Sequence, residues 1–514
     1  MVRYDYETDW CGYTYPETNE ISTDQDVISE FRSIDITGES FQRCGVPILV
    51  KNGKAVVNDK TENTIIYGET GSKKTRSVIA PLIALAAGAG ESAFITDVKG
   101  ELSTNPKLQG FLKKKGVKTV YLDFRTFKGD CYNILEYGFN MYRRGEEDKA
   151  MGYMTKIINS LVARYETAKD PFWGLSSQQY LVPLINLIFD ACARKPEYYD
   201  MVNMYTLSTY ANFKAAEKIG DKVENLSEDC GTMLSMLKSV TGNPNNTLSC
   251  IMSTVQSVLQ DFTIQEDLLK MLSATSFDLE AMYETPTFVF LIVPDETSTY
   301  DTIAGMLIDM FYDRLVETYS RKYQNNKEAP CRINYICDEF CNLKINDMKA
   351  KISASRSRNM RWYLVCQSKS QLENTYSEAA TTIIGNCKNI LFLQSSDLSM
   401  LSYISDLCGE TQINEKGITE PIVKEMTLKN LKLEKEFKEA VFIRGNIRYF
   451  TRLPDIDSYE FLKKYASKKP FAFPNKCNSK IKAYTVGMLV DDIDDYVYRD
   501  IDIDDLYCDD DDLF

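Results

Sequence analysis

Seven short apolar runs, separated by stretches of helical spacing, set the pattern of the chain from Asn63 onward. They read "NTIIYG", "SAFITD" and "KTVYLDF", then, after a gap from about Met141 to Tyr283, "TFVFLIVPD", "INYICDE", "WYLVCQ" and "NILFLQ". Continuous Ile, Val, Leu and Phe, rather than alternation, predicts strands buried on both faces, and therefore a mostly parallel sheet covered by helices. The gap lacks such runs; "YLVPLINLIFDACARK" and "TLSCIMSTVQSVLQDF" instead carry helical periodicity, which predicts an all-helical insertion. Upstream, "VPILVKNGKAVV" predicts a short strand turning on Asn52-Gly53. Downstream, "AVFIRGNIRYFTRL" predicts a hairpin about Gly445-Asn446, beyond the parallel sheet. There is no internal repeat.

Composition narrows the chemistry more than the fold. With 514 residues, 44% hydrophobic and 26% charged, the chain is of ordinary globular make-up and long enough for two or three domains. The opening "MVRYDYETDW" lacks the apolar core of a signal peptide. The longest apolar stretch, "SVIAPLIALAAGAG", is shorter than the roughly 18 to 20 residues that span a bilayer, so no membrane span is expected. Histidine is absent, which excludes Ser-His-Asp and Cys-His catalysis and the mixed zinc patterns. The fourteen cysteines form no C-x-x-C pair and read as reduced, cytoplasmic thiols. Of the formal charge of -14, the aspartate-rich tail Asp491–Phe514 holds -11; it reads either as a solvating run or as an acidic docking peptide for basic cargo.

One loop carries candidate chemistry. "YGETGSKKT" places Gly68, Glu69, Thr70, Gly71, Ser72, Lys73, Lys74 and Thr75 between a predicted strand and a helix-forming run. A phosphate-binding loop needs permissive glycines, backbone N–H groups at a helix start, a lysine for the terminal phosphates and a hydroxyl for magnesium. Lys74 and Thr75 fill the last two slots, but Lys73 stands where the second glycine belongs. A side chain there costs about 1 to 3 kcal/mol in backbone strain or crowds the ligand, while its ammonium adds positive charge. The run "INYICDE" ends on Asp338 and Glu339, an acidic pair able to divide the work of holding magnesium and activating water. Each alone is ordinary punctuation of a strand end; the pair and the loop in one sheet make a site. Gln367 ends the next run and is a candidate for positioning water. Between the two runs lie Arg356, Arg358 and Arg361, which read as a solvated face or as the source of an arginine finger for a neighbouring subunit.

Together these stretches resemble the TraG/TraD-type coupling ATPases of conjugation and type IV secretion, within the FtsK/HerA-like P-loop superfamily. The resemblance runs in register from about Val46 to Gly445. "GETGSKKTRS" stands against G-S-T-G-S-G-K-T-R-S, "ITDVKGEL" against T-D-P-K-G-E-L, "YNIL" against Y-N-P-L, and "VPDETSTY" against I-P-D-E-D-S-T-Y. "DEFCNLK" matches D-E-F-A-N-L-G and "SRSRNM" an R-S-R-G-I type segment; "DPFW" and "IIGNCKNILFLQSSDLSMLSYISDLCG" complete the series.

The resemblance implies an α/β, RecA-like P-loop NTPase fold with a central mostly parallel sheet and an inserted all-α domain. It divides the chain into an N-terminal polar segment 1–45 without a span, nucleotide-binding parts 46–140 and 285–470, a helical domain 141–284 and an acidic tail from 471. It further implies ATP and Mg2+ as cofactors, with residues 68–75 binding nucleotide, Thr75 and Asp338 holding the metal, and Glu339, Gln367, Arg356 and Arg358 in catalysis. The implied partners are a homo-hexamer, relaxase-bound single-stranded DNA or a protein effector, and inner-membrane channel components. The implied location is cytoplasmic, at the membrane's inner face. The alternative is an adaptor that binds cargo without hydrolysis. Departures from the pattern are Val98 and Ile134 for proline, the missing membrane helices, and lysines at 73 and 344 for glycine. The D-x-K-G-E-L residues Asp97, Lys99 and Glu101 match without an assigned role.

Overall fold

The structure is a computed structural model that describes residues 6–8, 14–16, 20–163, 171–224, 231–296, 299–323, 328–412, 419–465, 471, 473–477 and 480–497. It divides into two compact units, one of residues 1–125 and 278–473, the other of residues 126–277 and 474–514.

The first unit is built on a nine-stranded sheet. Before it come a ribbon of β1 (Tyr6–Thr8) with β2 (Thr14–Pro16), and a small antiparallel sheet of β3 (Arg32–Asp35), β4 (Pro47–Lys51) and β5 (Lys54–Val57). The turn between β4 and β5 has positive φ at both Asn52 and Gly53, as an Asn-Gly hairpin requires. The central strands are β6 (Thr64–Tyr67), β7 (Ser92–Thr96), β8 (Lys118–Asp123), β9 (Thr287–Ile292), β10 (Ile333–Cys337), β11 (Met360–Cys366) and β12 (Asn389–Phe392). A further ribbon pairs β13 (Glu410–Gln412) with β14 (Thr419–Pro421), and the hairpin β15 (Phe437–Arg444) and β16 (Ile447–Pro454) follows.

The order across the central sheet is β16-β15-β12-β6-β11-β10-β7-β9-β8. The seven strands from β12 to β8 run parallel, and the hairpin adds two antiparallel strands at one edge. All seven expected runs are strands of this sheet. β6, β7, β9, β10, β11 and β12 are buried along their whole length, which is why their sequences do not alternate. The helix Ala80–Gly88 behind β6 is buried at every position, so its all-round apolar character reflects enclosure by protein. Among the described residues, no helix is long and apolar enough to cross a membrane.

Between Asp123 and Thr287 the described residues contain helices and no strand, including Glu147–Val162, Phe172–Ala193 and Asn245–Thr263. The helix Val486–Val497 belongs to this second unit and packs against Phe172–Ala193. Leu489 and Ile493 are buried there, Asp492 takes a hydrogen bond from the Tyr484 hydroxyl at 2.5 Å, and Lys195 lies 3.3 Å from Asp492. Of the aspartate-rich run, which reads as a solvating stretch or as a docking peptide, Asp491–Val497 forms the end of a packed helix. Leu489 and Ile493 supply its inward face, and Asp492 is held beside them by Tyr484 and Lys195. Residues 498–514 lie outside the described residues.

The starts of the central strands are tied by a buried charge cluster. Arg361, at the start of β11, is enclosed and donates to Asn334 Oδ1 at 2.7 Å, to the Cys44 carbonyl at 2.9 Å and to Glu91 Oε2 at 2.9 Å. Next to it Tyr335 and Trp362 stack with centroids 4.1 Å apart. Removing one partner from such a buried pair leaves an uncompensated charge. Glu91→Ala is therefore expected to lower the unfolding free energy by about 3–5 kcal/mol, read as a lower urea midpoint.

Candidate nucleotide site

The loop Gly68–Lys74 leaves the C-terminal end of β6 and enters a helix that opens with a π-helical turn, Thr75–Ile79. Two neighbouring strand ends hold its root: the Gly68 N–H donates to the Cys366 carbonyl at 3.1 Å, and the Glu69 N–H to the Gln394 carbonyl at 3.0 Å. The Glu69 carboxylate caps the segment after β12, accepting from the Ser396 N–H and hydroxyl, each at 2.8 Å. Ser72 closes the turn by donating to the Glu69 carbonyl at 2.7 Å. At Gly68 a Cβ would sit 2.6 Å from Ser72 Oγ and 3.2 Å from Lys74 Cγ, so a side chain there would displace the two side chains folded over the loop. Gly71 adopts φ +85° and Thr70 is exposed at the loop tip.

Lys74 is buried, and its ammonium folds over the loop to the Gly68 carbonyl at 2.6 Å and lies 3.5 Å from Glu339 Oε1. The other oxygen of Glu339 accepts from Gln367 Nε2 at 3.0 Å. Three sequence-separated elements therefore meet on one carboxylate. The register explains it: Cys337 of β10 pairs with Leu364 of β11, and Cys366 of β11 pairs with Tyr67 of β6, so Glu339, Gln367 and the loop leave the sheet at nearly one level. Glu339 itself takes a left-handed turn, φ +48°, which its amide stabilises by donating to Asp338 Oδ1 at 3.0 Å.

Asp338 is buried, and that burial, followed by the charge of Glu339, pushes its pKa up to about 7, with Lys74 and the Glu339 amide opposing. Asp97 is a second buried carboxylate nearby. It accepts from the Leu102 and Ser103 N–H groups at 3.2 and 2.7 Å, so it shapes the D-V-K-G-E-L loop, while Lys99 and Glu101 are exposed.

Lys73 adopts φ +61°, the left-handed conformation of the glycine slot it fills. Its ammonium donates to the carbonyls of Glu434 and Lys435 at 2.6 and 2.9 Å and lies 3.7 Å from Asp455. The positive charge expected to recover phosphate affinity is thus engaged by the segment before β15. Arg76 reinforces the attachment with a two-pronged pair to Asp455 at 2.6 and 2.8 Å. Lys344, the other glycine replacement, is exposed and absent from the positive-φ residues, so it carries no comparable strain.

Arg356 and Arg358 lie just before the first residue of β11, whereas Gln367 follows its last. Seven residues at about 3.3 Å each put them roughly 20 Å or more from the loop of their own chain. Arg361 is the buried structural arginine described above. Sequence reasoning missed the residues that brace the loop from the C-terminal side: Gln394, Ser396, Lys438, Asp455 and the carbonyls of residues 434 and 435. Lys438 donates to Gln394 Oε1 at 2.8 Å and to the Leu431 carbonyl at 3.0 Å, and burial lowers its pKa to about 8. A lysine within the strand-forming run "FKEAVFIR" was the one available signal.

The raised pKa of Asp338 has a definite sign. A carboxyl whose folded pKa lies above its unfolded value of 3.8 stabilises the fold while protonated; that contribution is complete below about pH 4 and is lost as pH rises through about 7. Without nucleotide, the thermal midpoint is expected to fall between pH 5 and 8. The Asp338→Asn variant, measured by differential scanning fluorimetry, should show a clearly smaller fall.

Known proteins bear on this site. No match is found among curated proteins. Among solved structures, the chain is similar to the bacterial conjugative coupling protein TrwB in a trigonal form in complex with sulphate, with TM-score 0.58 and 16% identity over 89% of this chain and 96% of that one. It is similar also to the plasmid coupling protein TrwB in complex with the non-hydrolysable ATP analogue ADPNP (TM-score 0.55, 15% identity, 90% and 96% covered). The form of TrwB with ADP and Mg2+ gives TM-score 0.54 and 15% identity over 89% and 96%. At these identities the likeness is one of fold, and it agrees with the RecA-like α/β architecture. Residues 19–443 match the family described as type IV secretory system conjugative DNA transfer. The match spans most of the 514 residues, and the chain belongs to that family of conjugative coupling proteins.

Proposed function

We propose that this chain is a coupling ATPase of a conjugation or type IV secretion system, which recruits relaxase-bound single-stranded DNA or a protein effector and drives its transfer. The observation that carries the reading is the convergence of Lys74, Glu339 and Gln367 at adjacent parallel strand ends, with the Lys74 ammonium 3.5 Å from a carboxylate that Gln367 also holds.

The residues present fit magnesium-ATP. The Lys74 ammonium closes on a main-chain carbonyl where an anion can replace it, a Cβ at Gly68 would push against Ser72 and Lys74, and Asp338 is a buried carboxylate without an ion pair among the described residues. Bound magnesium-ATP supplies the transferable phosphoryl group and a cation that neutralises its oxygens. In this reading residues 68–75 bind the nucleotide, Lys74 reaching its phosphates, and Thr75 and Asp338 hold the metal. Glu339 takes the proton of the attacking water, and Gln367 fixes the orientation of Glu339. Lys73 positions the loop from outside. Arg356 and Arg358 stand at the other end of the sheet, so a finger from either serves a neighbouring subunit of a homo-hexamer. We further propose the division into nucleotide-binding parts 46–140 and 285–470 around a helical domain 141–284, and action at the cytoplasmic face of the membrane beside channel components.

Turnover measured with and without single-stranded DNA tests the enzyme reading. Lys74→Ala should lose nucleotide binding, and Glu339→Gln should keep binding while turnover drops by about 100-fold or more. A natural chain as inert as Lys74→Ala, yet able to bind cargo, would instead identify a hydrolysis-deficient adaptor. Lys73 separates strain from attachment. Lys73→Met keeps a strained side chain but loses the ammonium, and should lower stability by about 1–3 kcal/mol. Lys73→Gly relieves the strain as it loses the attachment, and should fall by less. Thermal midpoints and ATP affinity of the pair check this order.

A further inference from the structure

At the opposite end of the sheet, where β6, β7, β10 and β11 begin, a cavity of about 370 Å³ opens beside Glu91, Arg332 and Asn359. Its volume is within the range of small-ligand sites, about 300–1,000 Å³. Its floor has an unbalanced charge. Glu91 is a single carboxylate, and two largely buried guanidiniums depend on it: Arg361 at 2.9 Å and Arg332 at 3.5 Å, with side-chain exposures of 1% and 10%. The other partners of Arg332 are neutral, the Asp59 carbonyl at 2.8 Å and Asn359 Oδ1 at 3.4 Å. Burial and the neighbouring Arg361 both pull the pKa of Arg332 down, the signature of a cation short of counter-charge. Two further guanidiniums, Arg43 and Arg356, line the same cavity, are exposed and have no ion-pair partner among the described residues. Glu328 at the rim is the opposing charge, and Tyr319 supplies an aromatic wall.

We propose that this cavity binds the phosphodiester backbone of single-stranded DNA, with Arg43, Arg356 and Arg332 as the phosphate cradle and Tyr319 as the surface against which a base lies. The choice of ligand rests on the proposed DNA-coupling function. Three guanidiniums beside an aromatic ring are the combination that single-stranded nucleic acid uses, phosphates to arginine and base to ring. A cavity of this size admits one nucleotide unit and excludes a duplex. The site is separate from the ATP loop, which leaves the other end of the same strands.

Arg43→Ala/Arg356→Ala tests the proposal without touching the floor, because both side chains are exposed and unpaired. Binding of a fluorescently labelled oligothymidine to the full chain, read by anisotropy between about 50 and 200 mM salt, should weaken roughly tenfold, and the slope of log K against log salt should become shallower by about 1.4, two phosphate contacts fewer. Glu328→Gln, which removes the opposing carboxylate, should tighten binding. Thermal midpoint should stay unchanged in all variants, and ATP affinity in Arg43→Ala alone and in Glu328→Gln, neither of which has a part in the nucleotide site. An unchanged slope and affinity in the double variant overturns the site while leaving the coupling function intact. Loss of binding to phosphatidylglycerol vesicles with retained oligothymidine binding overturns it also, by assigning the arginines to a membrane surface. A natural chain that binds no oligothymidine at all defeats the DNA reading itself, and this site with it.

Discussion

The pair Lys74–Glu339 exists because three parallel strands end at one level. β6 and β10 are two strand spacings apart, roughly 10 Å, with β11 between them, and only long side chains leaving the sheet at matched heights can meet across that gap. A slip of one residue would move Glu339 by about 3.3 Å and turn it to the other face. The register is held at the far end of the strands, by Arg361 reaching Asn334 and Glu91 and by the Tyr335–Trp362 stack. The electrostatics of one edge of the sheet thus secure the geometry of the other.

Between these ends the site is a set of opposed burdens. Asp338 and Asp97 are carboxylates in a dry environment, and Lys438 is a cation in one. Lys73 and Glu339 both hold left-handed backbone, at a cost on the order of 1–3 kcal/mol each. Each is retained by local hydrogen bonds, Lys73 by two main-chain carbonyls and Glu339 by the Asp338 carboxylate and Gln367. Strain and buried charge concentrated at one set of strand ends are what a site prepared for a charged ligand requires.

The strands were legible because burial on both faces leaves an unbroken apolar run, as in "TIIY" and "INYIC", and the Asn52-Gly53 turn because its backbone demands those residues. That Lys74, Glu339 and Gln367 meet could be anticipated because strand ends and helix starts are marked in sequence. The fate of the Lys73 ammonium was not, since its partners are carbonyls at positions 434 and 435, and a carbonyl has no sequence identity. Nor could Arg361 be told from Arg356 and Arg358 within "SRSRNMR": only the point at which β11 enters the sheet, at Met360, decides which of them is enclosed. Asp491–Val497 reads as a charged tail by composition, yet Leu489 and Ile493 carry the helix against the helical unit.

The position of β6 has a consequence for how the chain is made. Its neighbours in the sheet, β11 and β12, are encoded roughly 300 residues later. During synthesis at about 5–20 residues per second, the segment "TIIY" and the apolar helix behind it therefore wait on the order of 15–60 s for a partner. For that interval the nascent chain presents an unpaired strand edge and an uncovered hydrophobic helix, the features that recruit chaperones or seed aggregation. Delay late in translation, or truncation before Met360, is thus more dangerous to this protein than the same event after the hairpin is complete.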